Sequence, residues 1–214
     1  MPLTETEQRS NIYNFLAAIY RQELNAEFLQ QIKEPRFTDL LSDMGIQFEE
    51  DLERKPEEEL LEDLAMEYTR LFLGPGKHIS PHESIHHQRD DGKWGQLWGL
   101  STADVKNFIQ TAGFQHQPNF KGLPDHISVE FEFMGQVAWR EAQALKEEDK
   151  DGVRYCRDIQ KQFIRNHLIR WIPAFCKLII EEAELSFYRA MAELTRNFIE
   201  YENDAIEHNG DSPS

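Results

Sequence analysis

His82-Glu83-Ser84-Ile85-His86 is the string in this 214-residue chain whose side chains could most directly do chemistry. It fits H-E-x-x-H. Histidines four apart share one face of a helix, so His82 and His86 could ligate a zinc ion while Glu83 takes a proton from metal-bound water. Its neighbours point to another use. Pro81 comes directly before it and Asp90-Asp91-Gly92 lies just beyond, so any helix here is short. No glycine and third histidine follow at the spacing of the longer zinc-protease motif. Ser80 as N-cap, Pro81 at N1 and Glu83 at N3 would make a capping box. A zinc hydrolase using His82, Glu83 and His86 therefore stands as the alternative reading, and metal content is what separates it from a binding protein.

Other candidates take their meaning from position. Asp125-His126 follows Pro124 at the start of an apolar segment. Asp125 could meet a cation in a pocket, or it could cap the helix with Ser128 at N3. Capping leaves His126 unexplained. Trp94 and Trp98, with Leu97 between them, sit in a glycine-rich stretch, where they could anchor an apolar peptide or pack the loop onto the body. His167 and Trp171, also four apart, fit a helix-packing pair better than a ligand site. No G-x-x-x-x-G-K-[ST] loop, G-x-S-x-G elbow or Cys-His signature occurs.

The elements that would position these residues are helical. Ile12, Phe15, Leu16 and Ile19 recur at helical spacing, with Thr4 and Glu7 placed for a capping box. Pro35 opens a short helix carrying Phe37, Leu40, Leu41 and Met44, which Gly45 stops. Pro56 opens another, striped by Leu60, Leu61, Leu64, Tyr68, Leu71 and Phe72 and ended by Gly74. Ser101 starts a helix that Gly113 closes. From Asp125 to about Leu145 apolar residues cover more than one face, as in a central helix buried on most sides. Val153 to Ile164 marks the next, Pro173 opens a further one, and Leu185 to Ile199 is the last strong segment. No period-two strand pattern and no internal repeat appears.

Residues 74–100 interrupt this pattern. They hold five of the eleven glycines and four of the eight histidines, so the stretch reads as a functional loop or a hinge between N- and C-terminal helical parts. The expected architecture is all-α, one domain of about eight to ten helices over residues 1–206, with a flexible tail at 207–214.

Charge and composition narrow the function. The net charge is -16, from 39 acidic and 23 basic residues. Such a surface repels phosphate backbones, which excludes general nucleic-acid binding, and attracts basic partners. The acidic run Glu49 to Asp63 fits a solvated helix face. Cys156 and Cys176 lie in apolar helical patterns and read as reduced core residues. The N-terminal residues lack an apolar signal core, and no stretch could span a membrane, so a cytoplasmic location without membrane insertion is expected.

Three segments in order resemble the TorD/DmsD/NarJ family of redox-enzyme maturation chaperones. Glu67-Tyr68-Thr69-Arg70-Leu71-Phe72-Leu73-Gly74-Pro75 is similar to E-[YF]-x-x-L-F-x-G-P, Pro81-His82-Glu83-Ser84 to P-x-E-S, and Asp125 to Met134 to D-H-[ILV]-x-x-E-x-x-F-[LM]. Phe163 to Phe175, with His167, Trp171 and Pro173, is a weaker fourth. The order and spacing absorb the H-E-x-x-H match into P-x-E-S. The sequence departs from the family at His82 and His86, where an aromatic residue is usual.

The resemblance implies a TorD-like all-α fold and no catalysis. It implies binding of the twin-arginine leader, or the apo form, of a molybdenum-cofactor oxidoreductase until the cofactor is inserted. It also implies restraint of premature export, either a monomer or a domain-swapped homodimer, and weak GTP binding in some members, which leaves a GTP-responsive binding protein as a further alternative. A leader carrying two guanidinium groups ahead of an apolar stretch needs carboxylates beside an apolar groove. The residues expected to bind it are Glu83, Ser84, Trp94, Leu97, Trp98, Pro124, Asp125, His126 and Glu130.

Overall fold

In a computed structural model, residues 3–35, 37–38, 42, 55–74, 77–88, 94–114 and 122–209 are described. Among them the chain is helical, and the only β-type pairings are two isolated bridges. The helices are α1 Glu5–Arg21, α2 Ala26–Ile32, α3 Glu57–Tyr68, α4 Glu83–His86, α5 Leu100–Thr111, α6 Ile127–Lys146, α7 Lys150–Phe163, α8 Ile169–Glu182 and α9 Ser186–Asn209. Two π-helical turns, Thr69–Leu73 and Ile164–Leu168, follow α3 and α7 directly. The all-α expectation holds. The short helix expected after Pro35 falls largely outside the described residues, as does the tail.

The chain divides into two compact units interleaved in sequence: Met1–Arg21 with Pro81–Trp171 and Ile199–Ser214, and Gln22–Ser80 with Ile172–Phe198. One boundary, at Ser80/Pro81, lies inside the 74–100 stretch.

The first unit is built on α6. Ile127, Phe131, Met134, Val137 and Ala138 are all fully buried, so the helix is apolar around most of its circumference, as its pattern predicts. α1 packs along it. The Thr4–Glu7 capping box starts α1: the Thr4 N–H donates to Glu7 Oε2 at 2.8 Å, and the Glu7 N–H to Thr4 Oγ1 at 3.3 Å. Gly135 allows α1 to approach closely. Ser10 Oγ donates to the Gly135 carbonyl at 2.8 Å, and a Cβ at Gly135 would meet Asn14 Oδ1 at 2.8 Å. Gly113, at φ +76°, closes α5 in the left-handed region that favours glycine.

The helical run from α7 into α8 departs from expectation. Pro173 does not open a helix; it lies inside α8. Helix continues from Lys150 to Glu182 through the π-turn, and Pro173, which lacks an N–H for the ladder, sits one turn beyond it.

A cavity of about 620 Å³ in the first unit has polar and charged groups in its wall, among them Arg9, Glu141, Gln160 and Glu202. Arg9 donates to Glu202 at 2.8 and 2.6 Å and to Gln160 Oε1 at 2.9 Å. Gln160 donates to Glu141 at 2.8 Å, Arg157 to Glu141 at 2.7 Å, and the Tyr13 hydroxyl to Glu202 at 3.0 Å. The network ties α1, α6, α7 and the end of α9 together.

In the second unit Glu67 plays the matching part. It accepts from Arg70 Nε at 2.8 Å and from the Glu184 N–H at 2.6 Å, fixing the turn between α8 and α9. Beside it Tyr68, Phe72, Phe175 and Tyr188 form one ring cluster. Glu67, Tyr68 and Phe72 of the first family-like segment thus hold the second unit together.

Cys156 and Cys176 are buried and unlinked, as expected. No helix among the described residues is long and apolar enough to cross a membrane. Because Arg9 neutralises two buried carboxylates, Arg9→Leu is expected to lower stability by about 3–5 kcal/mol. Urea unfolding measures this, and a loss under about 1 kcal/mol would show the network to be dispensable.

Candidate functional site

The second and third family-like segments meet in the first unit. Two backbone hydrogen bonds clip them together: the Glu83 N–H donates to the Asp125 carbonyl and the Ile127 N–H to the Pro81 carbonyl, both at 2.9 Å. His82 and His126 form an antiparallel bridge, with their rings edge to face at 5.0 Å. Asp125 Oδ2 accepts from the Ser84 N–H at 3.0 Å.

Both capping readings are corrected. His126, not Asp125, caps α6; its Nδ1 accepts from the Ser128 N–H at 3.2 Å. Asp125 is drawn away to the Ser84 amide. At α4 the N-cap is His82, without a side-chain cap, so Ser80, Pro81 and Glu83 do not make a capping box. The Glu83 carboxylate instead accepts from His87 Nε2 at 2.9 Å and from His167 Nδ1 at 3.0 Å.

The zinc reading is corrected by the same geometry. α4 is a single turn, and His82 lies before it in extended backbone. His82 packs on His126, whereas His86 stacks on Trp171 with ring centroids 5.2 Å apart. Glu83 is engaged by two imidazoles. Among the described residues no group of three or more His, Cys, Asp or Glu side chains is placed to hold a metal ion.

Glu83 is one of three carboxyl groups buried together. Asp125 and Glu130 are each 0% exposed. Glu130 Oε2 accepts from Trp171 Nε1 at 3.1 Å. Asp125 Oδ1 and Ser84 Oγ have no hydrogen-bond partner among the described residues. Phe163 and Phe108 wall the cluster, their rings 4.7 and 5.8 Å from that of His167.

The carboxyl groups divide into two states. Burial would raise the pKa of Glu83, but the bonds from His167 and His87 outweigh it and hold the group at about 2. Burial pushes Glu130 well above the usual carboxylate range, and the charge on Glu83 adds to that effect. Glu130 is thus a neutral acid able to donate to the Glu83 carboxylate. His126 is pushed down to about 3 by burial and the neighbouring His82 and Arg21, and stays neutral.

The remaining expected site residues lie at the surface. Trp94 is 70% and Trp98 76% exposed, and Leu97 and Leu100 are also exposed. Pro124 is half-buried. The loop bearing these residues does not pack its large side chains inward. The structure therefore separates the nine expected residues into a buried frame, comprising Glu83, Ser84, Asp125, His126 and Glu130, and an outward group. Sequence reasoning missed His87 as a partner of Glu83 and took His167–Trp171 for a packing pair. Their place in the fourth family-like segment was the available signal for His167 and Trp171.

The nitrate reductase delta subunit family model matches residues 30–177, more than half of the chain. The chain belongs to the nitrate reductase delta subunit family. This is the family that includes TorD and NarJ, as the ordered segments implied. Within the nitrate reductase delta subunit family the chain is 27% identical to the chaperone protein TorD of Photobacterium profundum, over 88% of this chain and 89% of that protein. It is 25% identical to the chaperone protein TorD of Aliivibrio salmonicida, over 91% and 92% of the two chains. These relatives are named as chaperones and not as enzymes. In fold it is similar to a redox enzyme maturation protein from Archaeoglobus fulgidus, at a TM-score of 0.53 and 19% identity, covering 94% of this chain and 96% of that one.

The neutral Glu130 predicts a pH signature. A carboxyl whose folded pKa is raised stabilises fully below its unfolded value, about 4.3, and the contribution is lost as pH rises. The Glu83 contribution has the opposite sign: it is complete above that value and lost only as pH falls through about 2. As pH rises above about 5, and for as long as the folded Glu130 keeps its proton, Glu130→Gln should therefore gain on the parent chain by up to about 1.4 kcal/mol per pH unit. Urea unfolding at each pH reads this, and a pH-independent difference would contradict a neutral Glu130.

Proposed function

We propose that this chain is a cytoplasmic maturation chaperone for a redox enzyme, one that binds the twin-arginine leader, or the apo form, of a molybdenum-cofactor oxidoreductase and catalyses no reaction. Membership of the nitrate reductase delta subunit family supports the maturation role, together with relatives named as TorD chaperones. The observation that carries leader binding is the exposed group Trp94, Leu97 and Trp98 on a chain of net charge -16.

Each half of a leader meets a suitable surface. Exposed tryptophans with adjacent leucines offer large apolar contact at low entropy cost, matching the apolar stretch. The acidic surface draws in the paired arginines over long range, and salt screens that attraction. Trp94, Leu97, Trp98 and Pro124 are the proposed contacts. Glu83, Ser84, Asp125, His126 and Glu130 support the surface from inside, since fully buried Asp125 and Glu130 cannot touch a partner in this form.

Calorimetric titration with a synthetic leader, bearing two arginines followed by an apolar stretch, tests the contacts. Trp94→Ala and Trp98→Ala should each weaken binding about tenfold, equivalent to about 1.4 kcal/mol. Unchanged affinity in both variants would remove the loop from the binding surface.

A further inference from the structure

Gly95 and Gly99 place the tryptophan loop directly against the one-turn helix that carries Glu83. A Cβ at Gly95 would overlap the Ser84 carbonyl group and come within 3.0 Å of the His87 carbonyl oxygen. Gly99 lies across from Ser84, where a Cβ would stand 3.4 Å from the Ser84 Cβ. Gln88, just beyond α4, bridges to Trp94. The loop therefore rests on the backbone of Ser84 to Gln88. At Gly95 that approach is open only to a residue without a Cβ.

The same segment is fixed from its other side by the buried cluster. The Glu83 carboxylate is held by His167 and His87, and the Glu83 N–H by the Asp125 carbonyl. The Ser84 N–H is held by Asp125 Oδ2. Trp98 adopts φ +66°, a left-handed conformation costly for a residue with a bulky side chain. Such a conformation persists only where its surroundings over-determine it. The flanking glycines, seated on α4, supply that constraint.

We propose that Glu83 and Gly95 are positioning residues for client binding: the buried carboxylate–imidazole clip fixes α4, and α4 in turn fixes the direction in which Trp94 and Trp98 project. This rests on the leader-binding reading above for its consequence, but not for its structural content. It assigns the family-like P-x-E-S segment a mechanical task that contact with a partner does not require. It also accounts for the burial of the acidic residues whose charge alone would have suited a cationic ligand.

The test reads the loop and the binding separately. In the free protein, the indole N–H signals of Trp94 and Trp98 are followed by NMR in the parent chain, in Gly95→Ala and in Glu83→Gln. Trp139, exposed on α6, is the internal reference for an intact fold. Both variants should shift or split the Trp94 and Trp98 signals and leave the Trp139 signal in place. Should Glu83→Gln fail to fold, Asp125→Asn, which weakens the hold on the Ser84 amide, replaces it. Unmoved Trp94 and Trp98 signals in a folded Gly95→Ala protein would overturn the proposal.

Titration of the same variants with the synthetic leader completes the test. Gly95→Ala should weaken binding at least tenfold without altering any proposed contact side chain. If Trp98→Ala abolishes binding while Gly95→Ala keeps full affinity, the positioning role is overturned and the contact reading stands. If Trp94→Ala and Trp98→Ala bind as the parent does, the contact reading fails, and the NMR result still decides whether the clip sets the loop.

Discussion

One buried carboxylate organises the first unit. Glu83 sits where water cannot solvate it, and an isolated charge there would be costly. Two imidazoles, those of His87 and His167, make the charge tolerable, and a neutral Glu130 stands beside it. The charge is satisfied only while α4, the Asp125 turn, the start of α6 and the π-turn after α7 keep their places. Segments more than eighty residues apart are held to one register through it. The tryptophan loop lies against the same segment at Gly95, next to the Ser84 carbonyl.

The helical architecture was legible because apolar periodicity is a direct record of which face is buried. Leu16 and Ile19 on α1, and Phe131 and Met134 on α6, follow the pattern and are fully buried. The break in that pattern at 74–100 was legible too: among its described residues only the single turn of α4 and Leu100, the first residue of α5, are α-helical. Local rules failed where a tertiary partner prevailed over a local one. Asp125 has the residue type and position of an N-cap, yet it serves the Ser84 amide, and His126 caps instead. Pro173 has the look of a helix start, yet α8 runs through it.

The candidate site was legible in membership more than in role. Glu83, Asp125 and Glu130 come together as the family-like segments suggested, but they face inward. Sequence spacing carries no information on whether a carboxylate reaches solvent or an imidazole eighty-four residues away. The H-E-x-x-H string shows the same limit: its ligand geometry presumes a continuous helix, and here His82 lies before the turn begins. Family membership supports a maturation chaperone, and the burial places these carboxyl groups behind the surface and not on it.

The central claim, that the Trp94–Leu100 loop receives the leader of a redox enzyme, is tested most directly by photo-cross-linking. A leader peptide with a benzophenone in its apolar stretch is bound to the chain, irradiated, and the adducts are located by mass spectrometry. The account predicts adducts concentrated in residues 94–100 and competed away by unlabelled leader. Adducts that compete but lie wholly outside this loop would contradict it.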